Sequence, residues 1–265
     1  MSRRPTAVLR CPPAYIALAE RLADAAGRVA RRYFRTGVAV IGKADASPVT
    51  IADREAEATM RRLIERSFPD HGIVGEEHGT VRPEAEHVWV LDPIDGTKSF
   101  ISGFPLFGTL IALLHRGRPI LGIIDQPILR ERWIGAAGRP TRFCGKPART
   151  RPCRALAEAT LFATSPHMFH GRDLAAFERL RRSVKLPRYG GDCYAYGQLA
   201  SGHVDLVVEA GLKPYDYLAL APVIEGAGGA LTDWEGRALG LGSGGRICAA
   251  GDRGLHRKAL RRLAG

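Results

Sequence analysis

Residues 88–100 read Val-Trp-Val-Leu-Asp-Pro-Ile-Asp-Gly-Thr-Lys-Ser-Phe, an apolar strand running straight into two carboxylates, Asp92 and Asp95, followed by Gly96 and Thr97. Strand ends along one sheet edge are where α/β architectures assemble sites. Pro93 restricts its own φ, so Asp95 is expected to turn back toward Asp92. Gly96 lets an anion approach the main chain, and Thr97 offers an N–H and a hydroxyl at the start of a helical turn. Asp-Pro and Asp-Gly are also ordinary turn dipeptides, so chemistry is assigned here only if the rest of the chain agrees.

Agreement comes from acids elsewhere. Residues 72–75 (Gly-Ile-Val-Gly) read as a short strand that delivers Glu76 and Glu77 at its end. Thr50 is a predicted N-cap for a helix running to about Ser67 and closed by Pro69. Asp53 falls in its first turn, where the helix dipole favours a carboxylate. Glu76, Asp92 and Asp95 would repel one another if they converged, and a hard divalent cation with oxygen ligands removes that cost. Asp216, at a helix start far along the chain, is the natural fourth ligand. Cysteine and histidine usage points to the same kind of metal. The five cysteines show no Cys-x-x-Cys spacing and read as reduced thiols, and the eight histidines show no zinc-type grouping.

The 265 residues are 45% hydrophobic and 25% charged, the composition of a globular protein, and no apolar run approaches the roughly 20 residues that span a bilayer. The basic start has no signal-peptide core behind it, so the expectation is a cytoplasmic protein with no membrane partner. A net charge of +12 and a pI near 10.0 raise nucleic-acid binding as a rival function. However, the arginines are spread along the chain, collecting in pairs at helix ends such as Arg31-Arg32 and Arg181-Arg182. Aromatic content is only 7%, with no basic tract interleaved with aromatics. A basic surface that favours small anionic substrates is the more economical reading, with no nucleic acid as partner.

Apolar spacing predicts a helix over residues 15–34, then a strand over 38–41. The polar loop 42–48 that follows is of a kind that can act as a lid, with Lys43 within reach of an anion. Residues 107–115 and 119–128 read as a hairpin turning at Arg116-Gly117-Arg118, extended by a strand over 131–136. Low-contrast sequence from Gly138 to about Arg154 suggests a boundary between an N-terminal unit, 1–145, carrying most of the acids, and a C-terminal α/β unit, 146–265. The second half alternates strands near 161–163, 186–189 and 204–209 with helices near 173–182 and 193–200. A helix opened by Asp216 runs to Gly228-Gly229 with Pro222 inside it, a local conflict. A strand over 246–250 and a basic helix from about Asp252 close the chain.

The set Thr50-Ile-Ala-Asp53, Gly75-Glu76-Glu77, Trp89-Val-Leu-Asp-Pro-Ile-Asp-Gly-Thr97, and Tyr215-Asp216 ahead of Gly226-Ala-Gly-Gly229 resembles the inositol monophosphatase family of lithium-sensitive, Mg2+-dependent phosphatases, over nearly the whole chain. The resemblance implies an α+β fold, the layered α-β-α-β-α sandwich of the inositol monophosphatase and fructose-1,6-bisphosphatase type. It implies two or three Mg2+ ions, with Glu76, Asp92 and the carbonyl of Ile94 holding one, and Asp92, Asp95 and Asp216 a second. Thr97 and Asp53 would orient the attacking water, so that Asp53, Thr97 and Glu76 form the catalytic group, and the N–H groups of Gly96 and Thr97 would bind phosphate. A homodimer is also implied. Residues 189–196 and 208–216 resemble the histidinol-phosphate phosphatase branch more than the inositol branch. There Asp192 and Glu209 would face the cationic groups of histidinol phosphate, with Tyr194 available for packing or stacking. For Asp192 the competing expectation is an N-cap of the following helix. Tyr215 stands where inositol-type relatives tend to carry Trp. The expected activity is hydrolysis of a phosphate monoester, L-histidinol phosphate first, with inositol or a broader sugar or nucleotide phosphate as the alternative.

Overall fold

The computed structural model describes residues 10–37, 40–42 and 48–265. In chain order its elements are α1 (Pro13–Tyr33), β1 (Val40–Gly42), β2 (Pro48–Thr50), α2 (Ile51–Ser67), β3 (Gly72–Gly75), β4 (Thr80–Val81), β5 (His87–Asp95) and α3 (Thr97–Ile101). Then come β6 (Gly108–His115), β7 (Arg118–Gln126), β8 (Glu131–Ala136), β9 (Arg142–Phe143), β10 (Lys146–Pro147), β11 (Thr160–Ala163), α4 (Gly171–Arg181) and β12 (Leu186–Tyr189). The chain finishes with α5 (Asp192–Ala200), β13 (Leu206–Glu209), α6 (Pro214–Tyr217), α7 (Leu220–Gly226), β14 (Ala230–Asp233), β15 (Ile247–Ala250) and α8 (Arg253–Ala264). The Lys43 loop and the start of the strand expected over 38–41 lie outside the described residues.

Strand alternation sorts these elements into layers. In the eight-stranded sheet, ordered β10-β9-β8-β7-β6-β5-β3-β4, Trp89, Leu91, Ile111 and Leu113 face α1 and α2. Their neighbours Val88, Val90, Leu110 and Ala112 point the other way, toward α5, α6 and α7. The five-stranded sheet, β12-β11-β13-β15-β14, repeats the device: Val207, Ile247 and Ala249 share the core of α5, α6 and α7, whereas Leu206, Val208, Cys248 and Ala250 pack on α4 and α8. The result is the α-β-α-β-α sandwich implied by the family resemblance. All five cysteines are free thiols, and no described helix is long and apolar enough to cross a membrane.

The conflict at Pro222 resolves as an interruption. Proline has no N–H to give the carbonyl of Leu218 four residues back, and its ring crowds that oxygen. The single helix expected from Asp216 is therefore two, α6 ending at Tyr217 and α7 starting at Leu220, although Leu218 and Ala219 both keep right-handed helical backbone. This broken segment lies on a slot in the large sheet. Gly122 of β7 and Gly135 of β8 are direct cross-strand partners. A Cβ on Gly122 would stand 1.9 Å from the Ala219 carbonyl oxygen, and one on Gly135 would stand 2.2 Å from that of Pro222. Glycine in two adjacent buried strands signals such a close backbone approach.

Candidate active site

A bulge brings the two aspartates of the opening motif to one place. Asp92 pairs with Leu110 and Asp95 with Gly108, so three steps along β5 match two along β6. One extra residue restores to positions i and i+3 the shared side that i and i+2 have in a regular strand. The bulge is pinned by Thr109, whose hydroxyl donates to the Pro93 carbonyl at 2.8 Å, and by the Ile94 N–H, which donates to Asp92 Oδ1 at 3.0 Å. Asp216, in the first turn of α6, completes the group: Asp92, Asp95 and Asp216 each place a carboxylate oxygen within 4.8 Å of the others. The backbone N–H of Lys213 holds Asp216 Oδ2 at 2.6 Å, and that of Cys193 holds Asp95 Oδ2 at 2.6 Å.

Burial, and then mutual repulsion, set the electrostatics. Burial raises Asp92 well above the usual carboxylate range, with Glu76, Asp95, Asp216 and Asp53 adding to it. Asp95 is raised in the same way, by burial and then by Asp192 and Asp216. Burial lifts Asp216 from 3.8 to about 7, against the pull of the Lys213 N–H. Asp53 is 1% exposed and raised by burial. Thr50 engages only its Oδ2, through the backbone N–H at 2.8 Å and the hydroxyl at 2.6 Å, and Oδ1 is buried with no partner among the described residues. An assembly of acids this crowded, with an orphaned carboxylate oxygen beside it, fits a centre for hard divalent cations.

Glu76 is an electrostatic neighbour of Asp53, Asp92 and Asp216, although it lies outside the close triad. The turn that carries it is gripped by a residue the sequence reading missed. Glu57, one helical turn beyond Asp53 on α2 and fully buried, accepts the Glu77 N–H at 2.7 Å, the His78 N–H at 3.1 Å and Arg61 Nε at 2.7 Å. Arg61 in turn donates to the Gly79 carbonyl. The available signal was an acid–base stripe at i, i+4 and i+8 (Asp53, Glu57, Arg61) among the buried Ala52, Ala56 and Met60, where charge has no place without a task.

Gly96, with φ of 87°, is the N-cap of α3, and Thr97 donates its hydroxyl to the Ile94 carbonyl at 3.2 Å. A Cβ on Gly96 would lie 2.8 Å from Asp192 Cγ, so Asp192 stands directly over the Gly96–Thr97 turn. Asp192 does not cap α5, whose N-cap is Gly191. It sits in the left-handed region at φ 45° and accepts Ser99 Oγ at 2.8 Å, and burial raises its carboxyl. Glu209 is 3% exposed, with the Thr164 N–H at 2.7 Å on one oxygen and the Tyr196 hydroxyl at 2.9 Å on the other. Tyr194 packs edge-on against Trp133 and donates to Glu131 at 2.7 Å.

A model of the inositol monophosphatase family matches residues 14–264. The chain belongs to the inositol monophosphatase family. The chloroplastic bifunctional phosphatase IMPL2 of Arabidopsis thaliana is 54% identical over 258 residues, covering 94% of this chain and 75% of that protein. A histidinol-phosphatase of Chlorobaculum parvum is 36% identical over 222 residues, covering 83% of this chain and 86% of the relative. Among solved structures, an inositol monophosphatase from Zymomonas mobilis overlays with a TM-score of 0.88 at 50% identity, covering 95% of this chain and 98% of the other. Inositol monophosphatase family members are metal-dependent phosphatases of small phosphate monoesters, and Asp92, Asp95 and Asp216 form a cluster that could hold a metal ion.

The raised carboxyls make stability and metal binding depend on pH in opposite directions. For Asp216 the folded pKa, about 7, lies above the ordinary 3.8, so between these values the folded state holds a proton that the unfolded state has lost. The metal-free protein is therefore expected to lose stability as pH rises from about 4 to about 7. A divalent cation must displace that proton, so its stabilisation should grow over the same interval. Thermal melts with Mg2+ and with EDTA, from about pH 5 to about pH 8, measure both trends. A Mg2+-induced shift that shrank as pH rose would contradict the assignment.

Proposed function

We propose that the protein hydrolyses L-histidinol phosphate to L-histidinol and phosphate with Mg2+ as its cofactor. Glu76, Asp92 and the Ile94 carbonyl would hold one ion, and Asp92, Asp95 and Asp216 a second. Bound cations supply polarisation of the phosphoryl oxygen and charge neutralisation of attacking and leaving oxygens. The N–H groups of Gly96 and Thr97 bind the phosphate oxygens. Asp53 Oδ1, left free by the bonds from Thr50 to the other oxygen, accepts the proton of the attacking water while the Thr97 hydroxyl orients it. The new P–O bond forms as the ester P–O bond breaks, and the departing alkoxide takes a proton from solvent.

The observation that carries the choice of alcohol is Asp192, whose carboxylate lies over Gly96 and beside Asp95, the side on which the esterified alcohol would leave. A substrate bearing an ammonium and an imidazole pairs with such an acid, and a neutral polyol has no charge to offer it. Glu209, held by Thr164 and Tyr196, adds negative potential behind Asp192. The 50% identity to an inositol monophosphatase favours a second reading, an inositol phosphate substrate. Phosphate release from a panel of esters, assayed side by side, decides between them, and histidinol phosphate ranking below inositol phosphate overturns the proposal. Asp192→Asn is expected to lower kcat/KM for histidinol phosphate about 10- to 100-fold, the loss of one charge-assisted bond. The same variant should change inositol phosphate turnover less than about threefold.

A further inference from the structure

We propose that Glu57, clasped by Arg61, is a positioning residue that sets where Glu76 stands relative to Asp92, and so sets the affinity of the metal centre. The inference rests on Glu76 being a metal ligand. Glu76 is the one acid of the centre delivered by a loop: the triad members come from a pinned bulge and the first turn of α6, and Asp53 from the cap of α2. A ligand on a loop is only as well placed as the backbone on either side of it.

On the upstream side, the Glu76 N–H donates to the Leu91 carbonyl at 3.3 Å, tying the turn to β5 one residue before Asp92. On the downstream side the turn is gripped from α2. Glu57 takes the next two N–H groups, Arg61 takes the Gly79 carbonyl, and His78 Nε2 lies 2.9 Å from the Arg54 carbonyl. The Gly79 carbonyl also accepts the Gly75 N–H at 3.0 Å, which closes the turn on itself. The turn has been shaped around the carboxylate, since a Cβ on Gly75 would stand 2.0 Å from Glu57 Oε1. A fully buried carboxylate survives only with its lone pairs filled, and Glu57 spends its bonds on one guanidinium and two main-chain N–H groups beside Glu76. Asp53 and Glu57 sit one turn apart on the same helix, so α2 fixes two members of the site in common register.

The test compares Glu57→Gln, Gly75→Ala and Arg61→Lys with the wild type, with Glu76→Gln as reference and the exposed Arg62→Ala as control. Two quantities are read: the Mg2+ concentration giving half of the maximal thermal stabilisation, and kcat and KM for phosphate release at saturating Mg2+. Glu57→Gln puts an amide donor among three donors, and Gly75→Ala displaces the carboxylate from the other side while keeping its charge. Each is expected to raise the half-saturating Mg2+ concentration about 10- to 100-fold, with activity recovered by added Mg2+ and KM for the ester within about twofold. A purely structural role lowers thermal stability in EDTA without moving the Mg2+ midpoint, and that result overturns the inference. If Glu57→Gln does not fold, Gly75→Ala and Arg61→Lys decide by the same measurement. Glu76→Gln with an unchanged Mg2+ midpoint refutes the ligand assignment itself, whereas a shift in Glu76→Gln alone refutes only the clasp.

Discussion

Asp92→Asn is expected to cut Mg2+-dependent phosphate release by about 1,000-fold or more while making the metal-free protein more stable. Asp92 is 2% exposed and surrounded by Glu76, Asp95, Asp216 and Asp53, every one of which raises its pKa. In the proposed arrangement Asp92 would help to hold both cations and so support the attacking and the leaving oxygen, and several kcal/mol of transition-state stabilisation lost corresponds to at least this factor. The amide keeps the shape and the acceptor for the Ile94 N–H but removes one charge from a crowded cluster. Phosphate-release assays and melts in EDTA and in Mg2+ test the pair of effects together. Normal turnover by the variant would refute the metal assignment. Lost turnover with a lower melting temperature in EDTA would instead mean that Asp92 is needed for the fold.

The second large effect is on stability. Gly122→Val is expected to destabilise the protein by about 3 kcal/mol or more, and Gly135→Ala by a comparable amount. In both cases the obstacle is main chain: the Ala219 and Pro222 carbonyls, which cannot swing aside as a side chain could. Relief requires lifting α6 and α7 off the sheet, and Asp216 would move with them. Denaturant titration reads the loss of stability, and weakened Mg2+ protection in whatever fraction folds reads the displaced ligand. Stability within about 0.5 kcal/mol of wild type would show that the slot is not a close-packed contact.

Where structure followed local chemistry, it was legible in the sequence. Thr50 caps α2 and Asp53 completes the reciprocal bond, and the dipeptide-level signals around Asp92, Gly96 and Thr97 mark the bulge and the turn. The hairpin of β6 and β7, the strand β8 and the alternation in the second half follow from apolar period alone. The two-residue strands β4, β9 and β10 are too short to show any period, and β14 lies between glycine-rich segments that masked it. The grip of Glu57 on residues 77 and 78 depends on a partner some twenty positions away, and the seat of α7 on Gly122 and Gly135 on one about ninety positions away. No window along the chain contains both members of either contact. Asp192 shows the same limit: its residue type suggested a cap, and only the packing of Gly96 and Ser99 against it places it over the turn instead.

The slot beneath α6 and α7 makes completion of the acidic cluster a late event in synthesis. Asp53, Glu76, Asp92 and Asp95 are all synthesised well before Asp216 and the broken helix that rests on Gly122 and Gly135. At about 5–20 residues per second, the growing chain spends several seconds with its first acids made and Asp216 absent. During that interval Asp92 and Asp95 lack the third carboxylate of the close cluster, so the nascent chain is expected to hold a cation less tightly than the finished one. In refolding, protection by Mg2+ is expected to return no earlier than the docking of α6 and α7 on Gly122 and Gly135, because that segment carries Asp216.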